Sequence, residues 1–158
     1  MEKTNGTTDI KERLSGFRDL YREYKMLADQ YDTLCNRMYS IGGNAMTGMP
    51  HNPSPSFDKI AIDISLKEET LERLTQKKEE YVSERTELLH LISMVKKPDE
   101  KQVLLSRYIY NGEWPEVAKI VYGRKKDFNV RYDDYLKYTY RKHSMAVASL
   151  SRITKANQ

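Results

Sequence analysis

Two stretches whose apolar residues recur in alternating steps of four and three, separated by a segment too rich in Gly and Pro to be helical, constrain this chain more than any other feature. The first seam is Ile10, Leu14, Phe17, Tyr21, Tyr24, Ala28, Tyr31, Cys35 or Leu34, Met38 and Ile41. Such steps lay one continuous stripe along an α-helix and nothing coherent along a strand. They predict a helix over about 9–41, with Thr8 as its N-cap and Gly42-Gly43 as its stop. The second seam is Ile60, Ile64, Lys67, Leu71, Leu74, Lys78, Tyr81, Arg85, Leu88, Ile92 and Val95. It predicts a helix from Phe57-Asp58, with Ser56 or Asp58 as cap, to about Lys97. Its Lys and Arg members fit because their stems lie along apolar surface while their charges reach water. At 1.5 Å per residue this helix would be roughly 60 Å long, beyond any single globular core, so its stripe needs a partner helix. Between the seams, Gly42, Gly43, Gly48, Pro50, Pro53 and Pro55 predict a linker across which the two helices fold back antiparallel. A second copy of the chain is a further candidate to share the bundle.

Pro98-Asp99 breaks the second period and opens a different region. Three shorter helices are expected there, at about 99–110, 114–122 and 132–154. Asp99 is read as an N-cap, Asn111-Gly112 as a turn, and Pro115 as a first-turn proline whose missing N–H costs little. The expected fold is therefore all-α: a long antiparallel, coiled-coil-like helical hairpin over 1–97, with its Gly/Pro-rich loop at 42–57, followed by a small helix-turn-helix domain over 98–158.

Several function classes are disfavoured at once. Cys35 is the only cysteine, so an intrachain disulfide has no second member and a cysteine-based zinc site has no ligand set. No apolar run approaches the roughly 18 residues of a membrane span, and the first residues lack the apolar core of a signal peptide, so the cytoplasm is the expected compartment. His51, His90 and His143 are scattered, and Asp133-Asp134 are helical neighbours that splay apart by about 100°. No spacing suggests a metal site, a cofactor or a catalytic constellation, and no enzyme is expected.

Charge points elsewhere. Residues 1–100 carry 15 Lys/Arg against 18 Asp/Glu, whereas residues 101–158 carry 12 against 5. A cationic end on a mildly acidic front reads as a nucleic-acid end joined to an assembly end. Within the last third, Arg124-Lys125-Lys126, Arg131-Tyr132, Tyr135, Lys137-Tyr138 and Tyr140-Arg141-Lys142-His143 interleave cations with phenols, a composition suited to a phosphate backbone. Tyr108 and Tyr122 are expected to pack, with Tyr138 or Tyr140 nearer the DNA. If the last helix enters a major groove, Lys137, Thr139, Arg141, Lys142, Ser144 and Met145 are the candidates to meet base edges, Arg141 foremost through its planar fork. Arg124, Lys125, Lys126, Arg131, Tyr138 and Tyr140 are the candidates for phosphate contacts.

Leu105-Ser106-Arg107-Tyr108-Ile109 followed by Trp114-Pro115-Glu116-Val117-Ala118 resembles the first part of the sigma factor region 4 type of helix-turn-helix. The run Arg141 to Leu150 resembles the end of that domain's recognition helix. A helical hairpin with a Gly/Pro-rich loop ahead of such a domain is similar to a family of phage proteins related to the RinA and ArpU regulators of Gram-positive phages. The resemblance covers residues 8–155 in architecture and 103–118 with 141–150 in specific residues. It implies a transcription regulator of late phage genes, acting on double-stranded DNA in the cytoplasm of a bacterial host. A homodimer through the hairpin, and contact with host RNA polymerase, are the expected protein partnerships. One departure is visible, about ten residues more than the compact turn of the motif, at roughly Lys125 to Leu136. That segment would either extend the recognition helix or form a loop adding phosphate contacts. Two alternatives share the same features: a DNA-packaging subunit of the small terminase kind, and a helical adaptor or inhibitor whose basic domain binds a host protein.

Overall fold

The computed structural model describes residues 5–43 and 57–156, which form five α-helices and no strand among the described residues. These are α1 (Asn5–Gly43), α2 (Phe57–Ser93), α3 (Pro98–Leu104), α4 (Trp114–Tyr122) and α5 (Tyr132–Ala156). The all-α class expected from the periodicity is the class the chain adopts. Some ends differ. Thr8 lies inside α1, which also includes Gly42 and Gly43. α2 stops at Ser93 because its last turn tightens, Met94 N–H donating to Leu91 and Val95 N–H to Ile92. Lys97 holds the cap position of α3 with Pro98 behind it, so Asp99 sits within the first turn and does not cap. Of the loop expected at 42–57, residues 44–56, with His51, lie outside the described residues, while Gly42 and Gly43 belong to α1 and Phe57 to α2.

Contacts divide the chain into two units, one of residues 20–81 and one of residues 1–19 with 82–158. In the first, α1 and α2 run antiparallel. Lys77 reaches Glu23 at 3.2 Å, Arg37 approaches Asp63 at 3.8 Å, and Tyr24 stacks on Tyr81 with ring centres 5.6 Å apart. The inward face of α2 here is Asp63, Lys67, Thr70, Leu74, Lys77 and Tyr81, all buried or half-buried. Ile64, Leu71 and Lys78, expected on the packed seam, are exposed instead. The seam is turned by about one residue because its polar members have partners: Arg37 for Asp63, the Leu66 carbonyl for the Thr70 hydroxyl (2.7 Å), Glu23 for Lys77.

The second unit holds the better core. The start of α1 contributes Ile10, Leu14 and Phe17, the end of α2 contributes Leu88 and Ile92, and Val95 follows just beyond it, all almost free of solvent. Val103 and Leu104 of α3, Val117 and Ala118 of α4, and Ala146, Val147 and Leu150 of α5 are equally buried. Each fully buried Leu, Ile or Phe contributes roughly 1.5–3 kcal/mol. Arg13 on α1 bridges to Glu84 on α2 at 2.6 Å.

Between α3 and α4 the helix widens into a π-helical segment, Leu105–Ile109, with Tyr110 N–H donating to the Leu105 carbonyl. Asn111 then takes a left-handed conformation (φ 54°), and Gly112 N–H donates to the Ser106 carbonyl at 2.9 Å. A Cβ on Gly112 would stand 2.9 Å from that same oxygen, a backbone atom that has no room to retreat. Gly112→Ala is therefore expected to lower stability by about 1–3 kcal/mol in urea unfolding, whereas Asn111→Gly, which suits its backbone, should change it by less than about 1 kcal/mol.

Candidate nucleic-acid interface

α5 is the element that presents the cations. Its inward stripe, Tyr135, Thr139, His143, Ala146 and Leu150, recurs at helical spacing and holds the helix against α3 and α4. The opposite face follows from that: Lys137, Arg141, Ser144, Met145, Arg152 and Lys155 all point to solvent. Residues 135–158 contain no Asp or Glu, so nothing on the body of α5 neutralises this face from within. Asp133 and Asp134 are confined to its first turn, where they suit the helix dipole.

The base-reading candidates divide accordingly. Lys137, Arg141, Ser144 and Met145 share the exposed face. Thr139 does not; it is fully buried and its hydroxyl donates to the Tyr135 carbonyl at 2.8 Å, so it cannot reach a base. Lys142 is half-buried on the flank, where its ammonium lies 3.3 Å from Asp99 of α3. Ser144 is exposed but donates to the Tyr140 carbonyl.

The phosphate candidates lie mostly on the connection. Nine residues, 123–131, join α4 to α5, against the three or four of a compact helix-turn-helix. Arg124, Lys125 and Lys126 are exposed there. Arg131 is also exposed, and carboxylates at Asp134 (3.2 Å) and Asp127 (3.5 Å) hold its charge. The additional residues supply both a loop and the first turn of α5. Phe128 is their anchor, buried with Ala118 and Tyr135 and flanked by Tyr122, Tyr132 and Leu136. The Tyr135 hydroxyl donates to Asp127 at 2.8 Å and holds that carboxylate below its usual range. Tyr122, Tyr132 and Tyr135 are thus packing residues, and Tyr138 and Tyr140 remain partly exposed at the margins of the basic face.

Behind that face sits a polar cluster. Buried Arg107 donates to the Gly112 carbonyl at 2.8 Å and to Glu113 at 3.1 Å, while its guanidinium lies 4.4 Å over the Trp114 ring. Arg18 of α1 takes the other oxygen of Glu113 at 2.9 Å. These two cations hold the Glu113 carboxyl below its usual range. The Trp114 ring meets Tyr140 and His143 edge-on, and the His143 Nε2 is hydrogen-bonded to the Tyr108 hydroxyl at 2.8 Å. Burial first, then the charges of Arg107 and Lys11, lower the His143 pKa to about 4. α5 is thereby fixed to the turn before α4 through rings and a guanidinium.

No family model, curated protein or solved structure matches the chain. What the interface can do follows from its own residues. Among the described residues no group of three or more His, Cys, Asp or Glu is placed to hold a metal ion, and no helix is long and apolar enough to cross a membrane. Sequence reasoning missed Arg152 and Lys155. The signal was present, because the spacing 137, 141, 144/145, 148, 152, 155 continues one helical face beyond the region singled out.

Proposed function

We propose that the chain is a sequence-specific DNA-binding transcription regulator, active as a dimer and without enzyme chemistry. The observation that carries this reading is the outward face of α5, where Lys137, Arg141, Arg152 and Lys155 stand in helical register with no carboxylate among them. A cationic helix face held rigidly from behind suits a major groove: flanking cations neutralise phosphates and Arg141 offers a bidentate pair to guanine. Two reading heads suit repeated half-sites. The resemblance to the RinA and ArpU regulators extends the proposal to late phage genes and to a bacterial host.

Selection of bound duplexes from a random pool, using the full-length protein, tests it. A recurrent motif should emerge. Arg141→Ala should weaken binding to that motif by about tenfold or more and relax the preference at one base, while Arg152→Ala should weaken all duplexes alike and reduce the salt slope by about one unit. Recovery of no motif, with binding that is equally weak on every duplex, sinks the proposal. Rings of eight or more copies on DNA would favour a packaging subunit instead.

A further inference from the structure

The residues of α2 displaced from the packed seam form a stripe of their own. Ile64, Glu68, Leu71, Thr75, Lys78 and Val82 follow one another in steps of 4-3-4-3-4, which is a second heptad seam on the same helix. All six are exposed, with Ile64, Leu71 and Val82 at 40%, 43% and 51%. Three branched apolar side chains along one line of a helix are more than scattered surface residues, and a helix face of this kind ordinarily has a partner. Thr75 belongs with them, because its hydroxyl is spent on the Leu71 carbonyl at 2.9 Å and its methyl is left for contact.

The order of the six residues says which partner. Turned about an axis near residue 73, the stripe matches itself in reverse. Ile64 falls opposite Val82, Leu71 opposite Thr75, and Glu68 opposite Lys78. Ile64 meets Val82, Leu71 meets the methyl of Thr75, and negative meets positive at Glu68 and Lys78, each pair occurring twice by symmetry. Neither Glu68 nor Lys78 has an ion-pair partner within the chain among the described residues, so both charges are available to a second copy. A two-fold interface must be self-complementary in this way, residue i meeting j and j meeting i. An unrelated partner would impose no such palindrome.

We infer that this stripe is where two copies of the chain pair, antiparallel along α2. The inference deepens the dimeric part of the proposed function and stands apart from DNA recognition, which resides on α5. Opposite charges at Glu68 and Lys78 favour this register, since sliding either helix by one heptad sets Lys78 opposite Ala61 or Thr75 and leaves it without a carboxylate.

Sedimentation equilibrium of the full chain tests this without DNA. The parent should be dimeric. Glu68→Lys and Lys78→Glu should each raise the dimer dissociation constant about tenfold, because every substitution removes two attractions and installs two repulsions. The double exchange E68K/K78E should return it to within about threefold of the parent, a rescue that a general loss of stability cannot produce. Leu71→Lys, beside the axis, should leave monomers of unchanged helix content. A monomeric parent at the highest concentrations reached overturns the inference, as does a dimer indifferent to Leu71→Lys and to both single reversals. Loss of dimer with retained duplex binding would separate this surface from the one on α5.

Discussion

Arg107→Ala is expected to lower the stability of the unit by about 3 kcal/mol. The guanidinium is buried and serves three groups at once: the Gly112 carbonyl, the Glu113 carboxylate and the Trp114 ring. A charged hydrogen bond to a buried carbonyl is worth about 1.5–3 kcal/mol, and a desolvated cation over an indole adds up to about 2 kcal/mol. Glu113 is well exposed and keeps Arg18, so its share of the loss is small. In a thermal melt this amounts to a drop of roughly 10 °C for a chain of this size. Arg107→Lys should recover only part of it, since a lysine cannot lie flat on Trp114 and fork to two acceptors. An unchanged melting temperature in Arg107→Ala would show that the cluster contributes nothing beyond its burial.

Acid should weaken the same unit through His143. Its folded-state pKa is about 4 against 6.5 for the free side chain, because burial and the nearby Arg107 and Lys11 charges disfavour the imidazolium. The unfolded chain therefore binds a proton that the folded chain refuses throughout that window. Stability contributed by the neutral ring is complete above pH 6.5 and is lost as pH falls toward 4, reaching about 3 kcal/mol in all. Glu100, Glu113 and Asp127 also have lowered pKa values, but their contribution is lost only at still lower pH, through the carboxylate range. The interval from pH 6.5 to 5 thus isolates the imidazole. Urea unfolding across it should slope steeply in the parent and be nearly flat in His143→Gln, which can still bond Tyr108. A parent curve as flat as the variant's would mean that His143 takes up its proton in the folded state.

Both long helices were legible because a heptad period persists over many turns, but their ends were not, since α1 runs through Gly42 and Gly43 and α2 stops at Ser93. The three shorter helices were legible from turn chemistry, Asn111-Gly112 above all. The rotational phase of α2 was not. Lys67, Leu74 and Tyr81 belong to either of two phases, and hydrophobicity favours the one that adds Ile64 and Leu71. The chain adopts the one that adds Asp63, Thr70 and Lys77, whose charged members find partners on α1. Periodicity within one segment carries no information about a charge on another.

The basic face shows the same division. Lys137 and Arg141 could be read directly, because cations at four-residue spacing on a helix have few ways to hide. The burial of Thr139 and the pairing of Lys142 were not legible, for opposite reasons. The inward stripe of α5 is built from Tyr, Thr and His as much as from aliphatic residues, so it resembles a surface. Lys142 looks free until Asp99, more than forty positions away in sequence, is placed beside it. Phe128 was passed over because a lone aromatic in a polar segment announces no helix, yet it is what ties the connection down.

The ion pairs Arg13–Glu84 and Arg18–Glu113 join positions 71 and 95 residues apart. A ribosome delivers Ile10, Leu14 and Phe17 first and the residues of α5 last, so those three side chains wait through most of translation before their core can close. The helical residues made in between, 20–43 and 57–81, hold their contacts among themselves and have time to form them meanwhile. The order of synthesis thus makes the pairing of 20–43 with 57–81 the early event and closure of the core around α3, α4 and α5 the late one, with Ile10, Leu14 and Phe17 and the residues of α5 both needed to complete it.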